Sequence, residues 1–327
     1  MPANIETMFS AVETPWHNIG VVVPEGLKSK QAIKESGLTW KAGKEVVYIK
    51  NAKGVFVPIP RQFAIVRKDT ETVLSNHTVG NGYQIFQNEE AFEFSDAFVE
   101  NGDAKYETAG SLAGGKRVWM LMRIEGQLRV NKTNDIINKY LLITNGHDAQ
   151  HAIEVALTSV RVVCQNTLEL ALAEAKKTRN IFRLRHSANV KERLVEAKEA
   201  LGIVNEQFEE FNTLINELAK TQVDKKKVET FFKGLGFDAE KDDNDKAVVE
   251  NITELFEGGK GNTMKGIKGS LWALVNGVTE YTDWKRGTRK TQAFGSEQEA
   301  RLNSAWFGQG RELKNEALEQ AVELMRA

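Results

Sequence analysis

Apolar and polar positions alternate with a strand-like period through roughly the first 150 residues and with a helical period afterwards. VVYIK (46–50) and VFVPIP (55–60) flank Asn51-Ala52-Lys53-Gly54, a turn composition, and predict a hairpin. Pro58 and Pro60 place its second strand at an edge, because proline has no N–H to give a ladder. FAIVR (63–67) predicts another strand, and residues 76–88 read as a glycine-rich loop with a short strand. Asn88 can cap a helix over 89–100, where Glu89 and Glu90 suit the positive helix start. YETAGSL (106–112) and RVWMLMRI (117–124) around Ala113-Gly114-Gly115-Lys116 give the clearest hairpin. YLLITN (140–145) and HAIEVALT (151–158) give another around Gly146-His147-Asp148.

From Thr158 the apolar positions Val160, Val163, Cys164, Leu168, Ala171, Leu172 and Ala175 predict a helix over 158–178. IFRLR (181–185) alternates apolar and basic residues and predicts a strand with an arginine face. After Ser187 a long helix follows. Its two series, Leu194, Leu201, Phe208, Ile215 and Ala197, Val204, Phe211, Leu218, repeat every seven residues. Burying each large side chain is worth roughly 1.5–3 kcal/mol, so this stripe must meet another helix. That helix lies in the chain's own bundle or in a second copy. Shorter helices are expected at 228–236, 247–258, 267–284 and 311–327, with loops at 258–261 and 294–298.

The fold class is α+β: an antiparallel β-rich N-terminal region with a packed helix, then a mainly helical region containing the heptad-patterned helix. The expected domains are 1–186 and 187–327.

Composition sets limits. A chain of 327 residues with 41% hydrophobic residues can bury a core and is not a disordered chain. Cys164 alone excludes a disulfide framework and a four-cysteine zinc site. No apolar run approaches the ~20 residues of a membrane span. The N-terminal stretch lacks the pattern of a secretory signal, so a cytoplasmic setting is expected.

Net charge is −1, divided as 23 basic against 20 acidic residues in 1–186 and 21 against 25 in the remainder. Coating of nucleic acid by bulk charge is therefore excluded, whereas a local basic groove is not. Two clusters stand out: Lys176, Lys177, Arg179, Arg183 and Arg185, and Trp284 with Lys285, Arg286, Arg289 and Lys290. Cations track phosphates and aromatic rings stack on unpaired bases. A solvated surface is the plainer account of either cluster.

Arg161, Gln165 and Asn166 open the helix expected at 158. There Arg161 and Gln165 share a face and can reach a phosphate, or else form a buried polar network. His147, Asp148 and His151 could ligate a metal or move protons, although Asp and His are also ordinary turn residues. Cys164, among apolar neighbours, reads as an inert buried thiol. The stretch 259–270 fails as a phosphate loop, because Gly261 and Gly266 are followed by Ile267-Lys268 instead of Lys-Ser/Thr. No cofactor and no complete enzyme motif is indicated.

Several stretches together resemble a known family. They are PWHNIG (15–20), VGNGYQIFQNEEAFEF (79–94), ETAGSLAGGKRVWMLMRI (107–124), YLLITNGHDAQHAIEVALTSVRVVCQNTLELAL (140–172), RHSANVKERLVEA (185–197) and FGQGRELKNEALEQA (307–321). They resemble the phage/plasmid-like protein family, domain of unknown function family 932, most distinctively at 161–168. The resemblance implies work on mobile DNA or in an infected bacterial cell and supplies no catalytic residues. The expected order of hairpin, strands and basic helix is similar to that of single-strand annealing proteins, an analogy of fold alone.

The expectation is a single-stranded DNA-binding protein, extending to strand annealing in recombination or replication and independent of ATP. The expected contacts are Arg161, Gln165, Asn166, Lys176, Lys177, Arg179, Arg183, Arg185, Trp284, Lys285, Arg286 and Arg289. A homo-oligomer through the 190–218 helix is the alternative to packing in the chain's own bundle, and no membrane partner is expected. The alternatives are a metal-dependent hydrolase acting on nucleic acid or nucleotide, using His147, Asp148 and His151, and a non-catalytic host-interaction protein.

Overall fold

The structure is a computed structural model that describes residues 8–10, 21–22, 27–100, 104–161, 166–169, 181–184, 186, 192, 204–288 and 296–327. The strands are β1 (Met8–Ser10), β2 (Val21–Val22), β3 (Ala42–Lys50), β4 (Phe56–Arg67), β5 (Thr72–Val73), β6 (Ala104–Leu112), β7 (Arg117–Arg129), β8 (Ile136–Gly146), β9 (Ile153–Arg161), β10 (Asn166–Glu169) and β11 (Ile181–Leu184). The helices are α1 (Ser29–Glu35), α2 (Asn88–Glu100), α3 (Val204–Lys220), α4 (Lys225–Gly234), α5 (Asp243–Gly258), α6 (Leu271–Glu280), α7 (Glu297–Phe307) and α8 (Gln309–Arg326). A π-helical turn, Tyr281–Lys285, continues α6. The protein is α+β, antiparallel β in its N-terminal half and mostly helical beyond.

The main sheet runs in the order β10-β9-β8-β7-β6-β1-β2, and β11 also pairs with β9. Both faces of its centre are covered, which explains the unbroken apolar runs of its sequence. Val118, Met120, Met122, Leu141 and Ile143 join Ile33 of α1 and Phe92 of α2 in the larger core. The alternate positions Trp119, Leu121, Tyr140 and Leu142 pack against Leu302, Ala305 and Trp306 of α7. Helices α3, α4, α5, α6 and α8 contribute to the larger core as well. Asp135, before β8, accepts a hydrogen bond from Trp272 Nε1 at 3.1 Å and ties α6 to the sheet.

The helix expected over 158–178 is a correction. Thr158–Arg161 completes β9, and β10 folds back on it with Asn166 opposite Arg161 and Glu169 opposite Thr158. The β-branched residues of this segment fit a pleated strand, and pairing with β8 outweighs the helical spacing. Arg161 therefore shares no helix face with Gln165, and the annealing-protein analogy loses its basic helix at this point. Residues 162–165, with Cys164, and residues 170–178 lie outside the described residues.

The strands expected at 55–60 and 63–67 are one strand, β4, interrupted by a bulge. Pro58 lies where β4 pairs with β3, and β5 pairs only with Val66 and Arg67. In the heptad-bearing helix, Phe208, Phe211, Ile215 and Leu218 are fully buried in the chain's own core, so this half of the stripe does not form a subunit contact. Leu194, Ala197 and Leu201 lie outside the described residues. No helix among the described residues is long and apolar enough to cross a membrane.

Helix α7, where a loop was expected to extend to residue 298, starts on a Ser296 cap whose hydroxyl accepts from Glu299 N at 3.1 Å. Ser296→Ala is expected to cost about 1 kcal/mol. A urea midpoint measurement reads this directly, and an unchanged midpoint would show that the cap contributes nothing.

Candidate nucleic-acid interface

Part of the expected contact set lies on the outer edge of the sheet. Arg161 ends β9 directly opposite Asn166, which begins β10. Arg183 on β11 stands in register with Glu154 on β9. Glu154 holds Arg311 at 3.1 Å. Gln165, Lys176, Lys177, Arg179, Arg185 and Arg289 lie outside the described residues.

Trp284, Lys285 and Arg286 occupy the π-helical turn and the residue after it. Lys260 approaches the Trp284 ring at 5.8 Å, adding a cation that the sequence reading did not include. Arg286 donates to Gln309 Oε1 at 3.4 Å, and its carbonyl accepts from Arg301 Nε at 3.1 Å. Of these cations Lys260 is the one shown against the half-buried indole.

Among the described residues a further cationic and aromatic surface lies on the β3–β4 hairpin. Its turn is made locally: Asn51 Oδ1 accepts from the backbone N–H groups of Lys53 and Val55, both at 3.0 Å. Gly54 supplies the left-handed conformation that closes the turn (φ 79°). Beyond Val46 the register jumps, with Val46 opposite Phe63 but Tyr48 opposite Pro58. Residues 59–62 thus stand against Val47 alone, and Arg61 takes a left-handed conformation there (φ 58°). Such a bulge bends and twists a hairpin. On one side of it Ala42, Ile65 and Val66 are buried; on the other, every residue from Tyr48 to Pro58 is exposed.

This arm carries nearly all the exposed large apolar residues described: Val46, Tyr48 (54%), Ile49, Val55, Phe56 (67%) and Val57, with Val73 on the adjoining β5. Exposed apolar residues concentrated in this way mark an interaction site. Residues 46–66 include Lys50, Lys53 and Arg61 and no acid. Lys50 Nζ lies 6.0 Å from the Phe56 ring centre, and Lys44 Nζ lies 5.8 Å from that of Phe63. The acid-free stretch was a signal in the sequence for this surface. The strand alternation concealed it, since nothing local showed that both faces stay uncovered.

The His147 cluster divides into two functions. His147 is buried, and its Nε2 meets Asn88 Oδ1 at 2.8 Å. The Asn88 amide donates to the Leu38 carbonyl, so Oδ1 is the acceptor and His147 Nε2 carries the proton. Burial, with His186 nearby, lowers the His147 pKa to about 3 despite Asp148. Asp148 behaves oppositely. Burial raises its pKa, but hydrogen bonds from the His151 ring and from the N–H groups of Gln150 and His151 prevail and hold it at about 2.

Asp148 Oδ2 holds His151 Nδ1 at 2.5 Å, with the carboxylate 6% and the imidazole 47% exposed. A carboxylate that fixes an exposed imidazole can orient a base. Tyr83 stacks on His186 at 5.1 Å, and His186 Nδ1 meets the Gln84 carbonyl at 3.1 Å. Among the described residues no group of three or more His, Cys, Asp or Glu side chains is placed to hold a metal ion. The glycine-rich stretch 259–270 is a series of turns pinned by buried Asn262, whose amide donates to the Leu255 and Ala273 carbonyls.

No curated protein and no solved structure matches the chain. A family profile described as "Domain of unknown function (DUF932)" matches residues 76–306, a span that runs from the loop before α2, through the main sheet and the His147 turn, to Trp306 of α7. With most of its length inside that match, the chain belongs to the DUF932 family.

Proposed function

We propose that the protein binds single-stranded DNA without nucleotide hydrolysis, and that annealing of complementary strands is the activity such a surface serves in mobile DNA. The observation that carries this reading is the β3–β4 arm: a ribbon exposed from Tyr48 to Pro58, with three cations and no acid over residues 46–66 and with aromatic rings among the cations. Cations neutralise phosphates and release their counterions, while rings offer surfaces to unpaired bases. The Trp284 turn, with Lys260, Lys285 and Arg286, repeats that combination on a smaller scale.

The test is a titration of labelled single-stranded oligonucleotide at about 50 mM and about 200 mM salt. Binding is expected to weaken steeply with salt. Replacing Lys50, Lys53 and Arg61 together by alanine is expected to weaken it roughly tenfold and to flatten the logarithmic salt slope by about 2, at ~0.7 per cation. Absence of binding at the lower salt rejects the reading.

A further inference from the structure

We propose that Tyr48 and Phe56 form an aromatic clamp that takes one unpaired base between their rings, with Lys50 on the neighbouring phosphate. This rests on the reading of the β3–β4 arm as a nucleic-acid surface and specifies how it meets the strand.

The register places the rings. Tyr48 stands directly opposite Pro58, and Lys50 directly opposite Phe56. Opposed residues and those two apart share a face, so Tyr48, Lys50, Phe56 and Pro58 line one side of the ribbon. Tyr48 and Phe56 are then diagonal neighbours, roughly 7–8 Å apart. Diagonal neighbours at this backbone spacing are within reach of the same ligand when they are aromatic, so one flat ring can meet both side chains.

The remaining features agree. Both rings are more than half exposed although the chain has a large core in which to place aromatic side chains. Lys50 Nζ, 6.0 Å from the Phe56 ring centre, places a cation beside one of the two rings. A nucleotide supplies a flat apolar face and a phosphate within one unit, which matches that pairing. A duplex keeps its bases stacked and offers only phosphates, so the clamp selects single strands. Tyr48 and Phe56 carry no hydrogen-bond code, and every base has a π-face, so selection by sequence is weak.

The experiment compares a labelled oligothymidine with an abasic strand of equal length, which keeps the phosphates and lacks the bases. Anionic phosphatidylserine vesicles form a third arm. The proteins are the full chain and its Tyr48→Ala, Phe56→Ala and Tyr48→Phe variants, all at exposed positions. The unchanged protein is expected to prefer oligothymidine on the order of tenfold. Tyr48→Ala and Phe56→Ala each abolish most of that preference with an unchanged salt slope, and Tyr48→Phe retains it.

Equal binding of the two strands by the unchanged protein overturns the clamp and leaves the single-strand reading standing. Failure to bind either strand at low salt overturns both. Vesicle binding that depends on Tyr48 and Phe56, without a difference between the strands, overturns the clamp in favour of a lipid surface.

Discussion

Moving the protein from pH 7 to pH 5 is expected to lower its unfolding free energy by about 2 kcal/mol through His147 alone. The folded imidazole titrates near 3, against 6.5 for the ordinary side chain, because it is buried and His186 adds repulsion. As pH falls through 6.5 the unfolded chain takes up a proton that the folded chain refuses. The stability from this group is complete above 6.5 and is lost at up to about 1.4 kcal/mol per pH unit down to 3. His186 is shifted in the same direction, by burial first, and adds to the loss. Asp148 acts in a separate window: its lowered pKa gives stability that is complete above the ordinary 3.8 and lost only toward 2. Urea unfolding at the two pH values measures the effect. His147→Gln keeps a donor for Asn88 and removes the titration, so most of the pH effect should disappear. An equal loss in that variant and in the unchanged protein would place the titrating group elsewhere.

In the main sheet the strands most readable from sequence are those buried on both sides. From Val118 to Met122 in β7 and from Tyr140 to Ile143 in β8 every residue meets one core or the other, so the centre of each segment is a dense apolar run. Thr158–Glu169 was not readable in this way. Val160, Val163, Cys164 and Leu168 satisfy a helical spacing, and the decisive fact is distant: β8 offers Ile137 to Arg161 and Tyr140 to Thr158. The stripe Phe208–Leu218 was visible as a face requiring a partner, but only tertiary packing shows that the partner is the chain's own core. Helix α7 had its Ser-x-x-Glu start in plain sight, yet it presents few apolar residues because it covers a small satellite cluster.

The site follows the same division. The hairpin at 46–60 was legible as a hairpin, since Asn51 to Gly54 encode its turn. Its exposure was not, because exposure depends on which other elements leave it uncovered. His147 and His151 were legible as neighbours in a turn. That one faces Asn88 inside and the other faces solvent depends on residues far away in sequence.

Lys314→Ala is expected to destabilise the protein by about 3–5 kcal/mol. Lys314 on α8 meets Asp283 in the π-helical turn at 2.7 Å, with both side chains almost wholly buried. Removing the ammonium takes a close counter-charge from a buried carboxylate. The approach is close as well: a Cβ on Gly310, at the start of α8, would come within 2.7 Å of Thr282 Cγ2. Replacing the pair together, Lys314→Met with Asp283→Leu, is expected to cost little, since a buried ion pair is often no more stable than apolar groups of similar volume. The difference between the double variant and the sum of the single ones isolates the pair. Urea midpoints of the four proteins decide it. A cost below about 1 kcal/mol for Lys314→Ala would mean that water reaches the pair. The turn carrying Trp284, Lys285 and Arg286 would then be held to α8 only loosely, and its cations would lack the fixed placement that a phosphate contact requires.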